Sequence, residues 1–256
     1  MNNIRILAVI QARMGSLRLP NKVLLPLAGK SVIEHVVERV RRCKLIDEVI
    51  VATSIDSNNL SLIKLCSENG IRIFIGSEND VLDRFYQLAK LIKPEHIVRI
   101  TADCPLIDPS VISKVVSTHL NTGADYTSNT MIPTYPDGLD LSIFNYKALK
   151  ESWKKSKLLS EREHVTPYIR KNCQIFKHIN VQNNVDLSNK RWTLDEDEDY
   201  VLLQHIFNEL YSNNPFFEMN DILNFLSKNT NLEKINSHFV RNEGYQKSLL
   251  NDKKID

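Results

Sequence analysis

Three cations near the start of the chain and two carboxylates far beyond them are the side chains on which chemistry could rest. The stretch AVIQARMGSLRLPNKVL (Ala8–Leu24) places Arg13, Arg18 and Lys22, with Gly15 and Ser16, directly behind an apolar run. A cation is costly where water cannot reach it, so a cluster at the end of a buried strand needs solvent or an anion. Gly15 and Ser16 permit a tight turn whose amides can face an anion, while Arg13 and Lys22 supply charge. The stretch is neither a Walker A loop nor GxGxxG, because the glycines and the GK[ST] ending are missing. A solvated basic loop would show the same spacing. Asp103 stands in ITADCP, just past a second apolar run, and Asp195 opens the acidic run Asp195-Glu196-Asp197-Glu198-Asp199. Such a run ahead of an amphipathic helix ordinarily serves the positive helix start.

The elements that must position these groups alternate. Ile4–Ile10 reads as a strand buried on both faces. Ser31-Val32-Ile33-Glu34 is a capping box, followed by a helical stripe of Val32, Ile33, Val36, Val37 and Val40. Strands are predicted at Val49–Thr53, Ile71–Ile75 and Ile97–Thr101. Helices are predicted over Leu60–Cys66, closed by Gly70, and over Val81–Leu91. This alternation predicts an α/β fold, a Rossmann-like three-layer arrangement with a mainly parallel sheet and helices on both faces. In such a sheet ligands bind beyond the carboxyl ends of the strands, where both the basic stretch and Asp103 fall.

Beyond Pro105 the pattern loosens. Val111–Leu120 reads as a helix capped by Asp108 with Pro109 at its first position, and Asp125–Asp140 as loop and short strands. Ala148–Lys157 and Glu163–Lys171 read as helices, the second interrupted near its first turn by Pro167. Ile175–Val181 reads as a strand, Tyr200–Tyr211 and Asp221–Leu226 as helices, and the polar, lysine-rich end as frayed. No internal repeat or low-complexity linker is visible, which predicts one domain over 1–256 containing a small inserted lobe within 125–190.

Composition narrows the function. The 256 residues are 42% hydrophobic and 25% charged with a net charge of +2, so no general basic surface for nucleic acid or an anionic membrane is expected. No apolar run approaches the roughly 20 residues of a membrane helix. Met1–Asn3 leads straight into an apolar strand without the order of a secretory leader. The four cysteines are far apart and form no CxxC pair, which predicts reduced thiols and a cytoplasmic location. The seven histidines show no HxH or HxxxH spacing, which argues against zinc.

RMGSLRLPNK followed by LLPLAGKSVIEHVVERV resembles the opening of nucleotide-sugar cytidylyltransferases, the Kdo and acylneuraminate enzymes among them. The spore-coat-polysaccharide type is the nearer likeness, extending through VRITADCPLIDP, PDGLDLSIF, EREHVTPYI, RWTLDEDEDY and EGYQKSLLND. The resemblance implies a nucleotide-diphospho-sugar transferase type of fold and a CTP-dependent transfer of CMP to a sugar acid or related acceptor. It places Ala12, Arg13, Gly15, Ser16, Lys22, Arg84, Thr101 and Asp103 at the nucleotide, and Asp103 and Asp195 at a divalent metal. Asp197 is a second choice for that metal, and Glu198 and Asp199 are left at the helix start. Two carboxylates and a triphosphate suit Mg²⁺. Arg13, Lys22, Asp103 and Asp195 are then the expected catalytic set. Gly138, Asp140, Glu163, His164, Thr166 and Tyr168 are expected on the acceptor side, in segments that differ from those of the Kdo and sialic-acid enzymes. The resemblance also implies a homodimer, with the middle lobe as the contact. Two other readings compete: a glycosyltransferase of similar build, which would ordinarily carry a DxD motif that Asp103-Cys104-Pro105 lacks, and a nucleotide binder without catalysis.

Overall fold

The computed structural model describes residues 4–16 and 18–255. Strand β1 (Ile6–Gln11) divides its side chains between two cores, with Ile6, Ala8 and Ile10 in one and Leu7 and Val9 in the other. Apolar residues at successive positions of one strand therefore cover both faces of a sheet, as an unalternating run requires. A short hairpin, β2 (Pro26–Leu27) and β3 (Lys30–Ser31), leads into α1 (Val32–Arg41), whose capping box of Ser31 and Glu34 forms as expected. Then follow β4 (Glu48–Ser54), α2 (Leu60–Glu68), β5 (Ile73–Gly76), α3 (Val81–Ile92) and β6 (His96–Thr101). Gly70, just past the end of α2, is left-handed, which lets the chain turn back toward β5 without a side-chain clash.

The chain continues through α4 (Pro109–Thr122), β7 (Tyr126–Ser128), β8 (Ser142–Asn145), α5 (Tyr146–Lys155), α6 (Leu159–His164) and α7 (Pro167–Lys171). It ends with β9 (His178–Asn180), α8 (Asp197–Leu210), α9 (Met219–Lys228), α10 (Thr230–Glu233) and α11 (Glu243–Leu250). The seven-stranded sheet has the order β5-β4-β1-β6-β8-β7-β9. Its first four strands are parallel, β8 runs antiparallel to both neighbours, and β7 and β9 pair parallel. The chain leaves β1 toward β4 and β5, then returns to the other side of β1 as β6. That reversal opens a crevice at the carboxyl ends of β1 and β6.

Segment 125–190, expected to contain a small lobe, supplies three strands to the same sheet. The strand expected over Ile175–Val181 shortens to His178–Asn180, because its partner β7 offers only Tyr126–Ser128 to pair with. The helix expected over Glu163–Lys171 is two helices, broken where Val165 takes φ 69° and Pro167 starts the second. Glu163 and His164 thus end a helix rather than begin one. Nor is the C-terminal end frayed over its described residues. Helix α11 is followed by Asp252, whose carboxylate accepts from the Ser160 amide and hydroxyl at 3.0 and 2.6 Å and ties the tail to the start of α6.

Candidate active site

Two chambers open into the crevice and share a border. One, of about 480 Å³, is lined by Ala12, Arg13, Gly15, Ser16, Arg18 and Lys22 from the loop after β1. The other, of about 330 Å³, is lined by Tyr126, Thr130, Asp137, Asp140, Ser142, Thr166 and Arg170. Thr101, Asp103, Asp195, Glu163 and His164 line both, as do Arg13, Arg18 and Arg99.

At that border Lys22 lies buried, and its ammonium donates to Asp103 Oδ2 and to Asp195 Oδ1, each at 2.7 Å. Burial pulls the Lys22 ammonium down, but the two carboxylates more than reverse it and hold its pKa above the ordinary lysine value. Burial likewise pushes the Asp103 carboxyl up, and Lys22 reverses that too, holding it at about 2. The backbone brings the two carboxylates together. The Asp103 carbonyl accepts from the Leu194 amide at 2.8 Å and the Thr193 hydroxyl at 3.3 Å, so the segment leading to Asp195 is pinned against the end of β6. Asp197 and Glu198 lie exposed on the first turn of α8, away from the border. Asp199 is buried and holds a structural place: it accepts from Arg191 Nε and Nη2 at 2.8 and 2.7 Å, from the amides of Asp195 and Glu196, and from Asn236.

The loop after β1 is held from below. The Met14 amide donates to the buried Asn59 side chain at 2.9 Å, and the Ala12 amide to the Ala52 carbonyl at 3.1 Å. Gly15 is not left-handed and faces open space, so what it offers is room for a ligand to approach the backbone. Arg13 is exposed, with Glu163 at 3.8 Å. Arg18 pairs with Asp195 at 3.2 Å, with Glu196 and with Glu243 at 3.6 Å.

Among the positions expected on the acceptor side, Gly138 has φ 105° and a Cβ there would lie 2.5 Å from the Trp192 backbone carbon. Only glycine lets the 137–140 loop lie this close to residues 191–193, and the Trp192 amide donates to the Asp137 carbonyl across the junction. Asp137 and Asp140 are thereby turned into the second chamber. Burial pushes the Asp140 carboxyl up, its partner Arg241 opposes this, Asp137 adds to it, and the balance lies at about 7. Burial pulls His164 down to about 4, so its ring is neutral at pH 7, hydrogen-bonded through Nε2 to Ser248 at 2.9 Å.

Three expected positions are not part of the cleft lining. Arg84 is 1% exposed and donates to the Ser77 carbonyl at 3.0 and 2.6 Å, so it braces the loop after β5. Tyr168 packs in the second core against Phe176, because the break at Val165 turns it away from the chamber that Thr166 lines. Gly138 acts beneath the lining through its backbone. Conversely, Arg99, Asp137, Arg170, Arg191 and Tyr245 line the cleft without having been singled out as site residues, and Arg18 joins them from the basic stretch. Arg99, a charge inside the apolar strand sequence HIVRIT, carried a legible signal; Tyr245 reaches the cleft only because α11 folds back over it.

A family model described as cytidylyltransferase matches residues 7–208. The spore coat polysaccharide biosynthesis protein SpsF of Bacillus subtilis is 32% identical over 231 residues, 88% of this chain and 95% of that one. The 3-deoxy-manno-octulosonate cytidylyltransferase of Geobacter sulfurreducens is 36% identical over 114 residues, 44% of each chain. A cytidylyltransferase structure from Leptospira borgpetersenii superposes with a TM-score of 0.85 at 31% identity, covering 90% of this chain and 97% of that one.

Proposed function

The chain belongs to the cytidylyltransferase family, and from that premise we propose that it transfers CMP from CTP to a sugar acid or related small acceptor, releasing pyrophosphate with the aid of Mg²⁺. The observation that carries the reading is the convergence of Asp103 and Asp195 on one cation where the two chambers meet. Two carboxylate oxygens each 2.7 Å from a single ammonium nitrogen are also a donor set that suits a hard divalent ion, which takes its remaining ligands from water and phosphate. Asp103 and Asp195 would hold Mg²⁺, which when bound neutralises phosphate charge and polarises the α-phosphate.

The chain's own groups do the rest. Arg13, Arg18 and Lys22 bind the phosphate oxygens and stabilise charge as it passes to the leaving pyrophosphate. Thr101 lies at the border between the chambers. An acceptor held in the second chamber by Asp140, Thr166 and neutral His164 directs its oxygen at the α-phosphorus, in line with the bond that breaks. The active form is expected to be a homodimer, which sizing chromatography checks.

The test is pyrophosphate release across the four nucleoside triphosphates and a panel of sugar acids, with and without Mg²⁺. CTP and Mg²⁺ should both be required. Asp103→Asn and Asp195→Asn should abolish most turnover and Asp197→Asn should leave it intact; the opposite order at 195 and 197 would overturn the metal assignment.

A further inference from the structure

We infer that Arg99 and Arg170 form an anion subsite in the second chamber, one that receives a carboxylate or phosphate group of the acceptor. The inference rests on the cytidylyltransferase reading of that chamber, and it adds residues and a ligand class to it. Five arginines line the chamber, and three are already matched: Arg13 with Glu163, Arg18 with Asp195 and Glu196, and Arg191 with Asp199. Among the described residues, Arg99 and Arg170 have no carboxylate within 4 Å.

Arg99 sits on β6 between Val9 of β1, which offers it no polar group, and Ser142 of β8. Its Nη2 donates to Gln11 Oε1 at 3.0 Å, while its Nε is buried without a partner. A guanidinium in this position is under-satisfied until an anion arrives. Burial already draws its pKa below the ordinary arginine value, and the nearby Arg170 pushes in the same direction. Two like charges lining one chamber, from β6 and α7, favour a ligand of opposite sign between them. Tyr126, Thr130, Ser142 and Thr166 line the same chamber and add hydroxyl donors.

The triphosphate is the competing occupant. Its cations come from the loop after β1; Arg99 borders both chambers, but Arg170 and these hydroxyl groups line only the second. The anion is therefore assigned to the acceptor.

Calorimetric titration of the full chain tests this with gluconate as the carboxylate probe, glucose 6-phosphate as the phosphate probe, glucose as the neutral control, and CTP separately. At least one anionic probe should bind the wild-type chain. Arg99→Met and Arg170→Gln should each weaken it about tenfold or more. Arg99→Lys should recover part of the loss, and CTP affinity should change less than about twofold. Which of the two probes binds distinguishes a carboxylate from a phosphate acceptor. Arg170 is exposed, so its variant answers even if the Arg99→Met chain does not fold. The inference fails if neither anion binds better than glucose, if both variants bind the anions as the wild type does, or if CTP affinity falls by the same factor. Absence of CTP binding or pyrophosphate release by the wild-type chain would instead remove the cytidylyltransferase reading, and the anion titrations would still report on the subsite.

Discussion

Lys22 and Arg191 are both buried cations held between carboxylates at the same edge of the sheet, and they share Asp195, at 2.7 Å from Lys22 and 3.6 Å from Arg191. Arg191 belongs to a closed cluster. It meets Asp199 through two parallel bonds, and Asp199 also takes the Asp195 and Glu196 amides and Asn236, so its carboxylate is fully occupied. Lys22 belongs to an open one. Its two partners face the chambers, and one carboxylate oxygen of each lies away from the ammonium. The carboxylate of the closed cluster has no acceptor position left for a substrate, and it fixes the backbone at Asp195. On the proposed reading, the open cluster exchanges its partners for phosphate and metal. Similar chemistry would then serve position in one cluster and reaction in the other, and the difference is how completely the donors and acceptors are used.

The largest effect should follow from breaking the closed cluster. Asp199→Ala leaves a buried guanidinium without its bidentate partner and frees the Asp195 backbone. We expect a loss of about 3–5 kcal/mol in urea unfolding, with turnover falling too. A loss below about 1 kcal/mol would show that the cluster does not hold the fold.

Lys22→Met opens the other cluster. Turnover should drop by roughly 10²–10³, the usual effect of one charge-stabilising donor. Asp103 and Asp195 would lose their shared ammonium, so the melting temperature should fall without metal and recover with Mg²⁺ more than the wild type gains. An equal Mg²⁺ shift in both proteins would count against exchange at this site.

The opposite edge of the sheet offers a pH control. His119 is buried, bonded to Thr127 and to His96 at 3.0 Å each, with Asp125 nearby. Burial, reinforced by His96, depresses its pKa to about 4. Below about 6.5 the unfolded chain takes up the proton that the folded chain refuses, so stability is present above that pH and is lost as pH falls toward about 4. The full effect is roughly 3 kcal/mol. His119→Gln should flatten the slope of unfolding free energy between those pH values; an unchanged slope would assign it to other groups.

Arg39 should give the smallest change and sharpens the comparison from the other side. It is 2% exposed, stacks 4.3 Å over Phe217 and has no carboxylate within 4 Å among the described residues, and burial draws its pKa to about 10. Arg39→Met exchanges an unpaired buried cation for an apolar chain of similar length. Stability should stay within about 1 kcal/mol. A loss near that of Asp199→Ala would mean that pairing is not what separates the clusters.

Much of this was legible along the chain because it is local. Unalternating apolar runs mark strands covered on both faces, and capping patterns mark helix starts, so the parallel half from Ile6 to Thr101 and the Ser31 capping box could be read directly. The basic loop and Asp103 follow from the same logic, since both fall just past strand ends. The convergence of Asp103, Asp195 and Lys22 was legible only through likeness to a family; no spacing states it.

What the tertiary structure decided is which charges face the cleft. Arg84 and Arg99 are both single arginines within elements rich in apolar residues, yet one braces a loop carbonyl and the other lines both chambers. Asp195 and Asp199 stand four residues apart in one acidic run, yet one borders the chambers and the other is sealed inside. Local sequence determines strand, helix and turn because those depend on backbone sterics and neighbouring side chains. The partner of a charge depends on which distant segment the fold lays beside it. Here that was settled by contacts such as Leu194 on the Asp103 carbonyl and Gly138 against Trp192, which join segments remote in the chain.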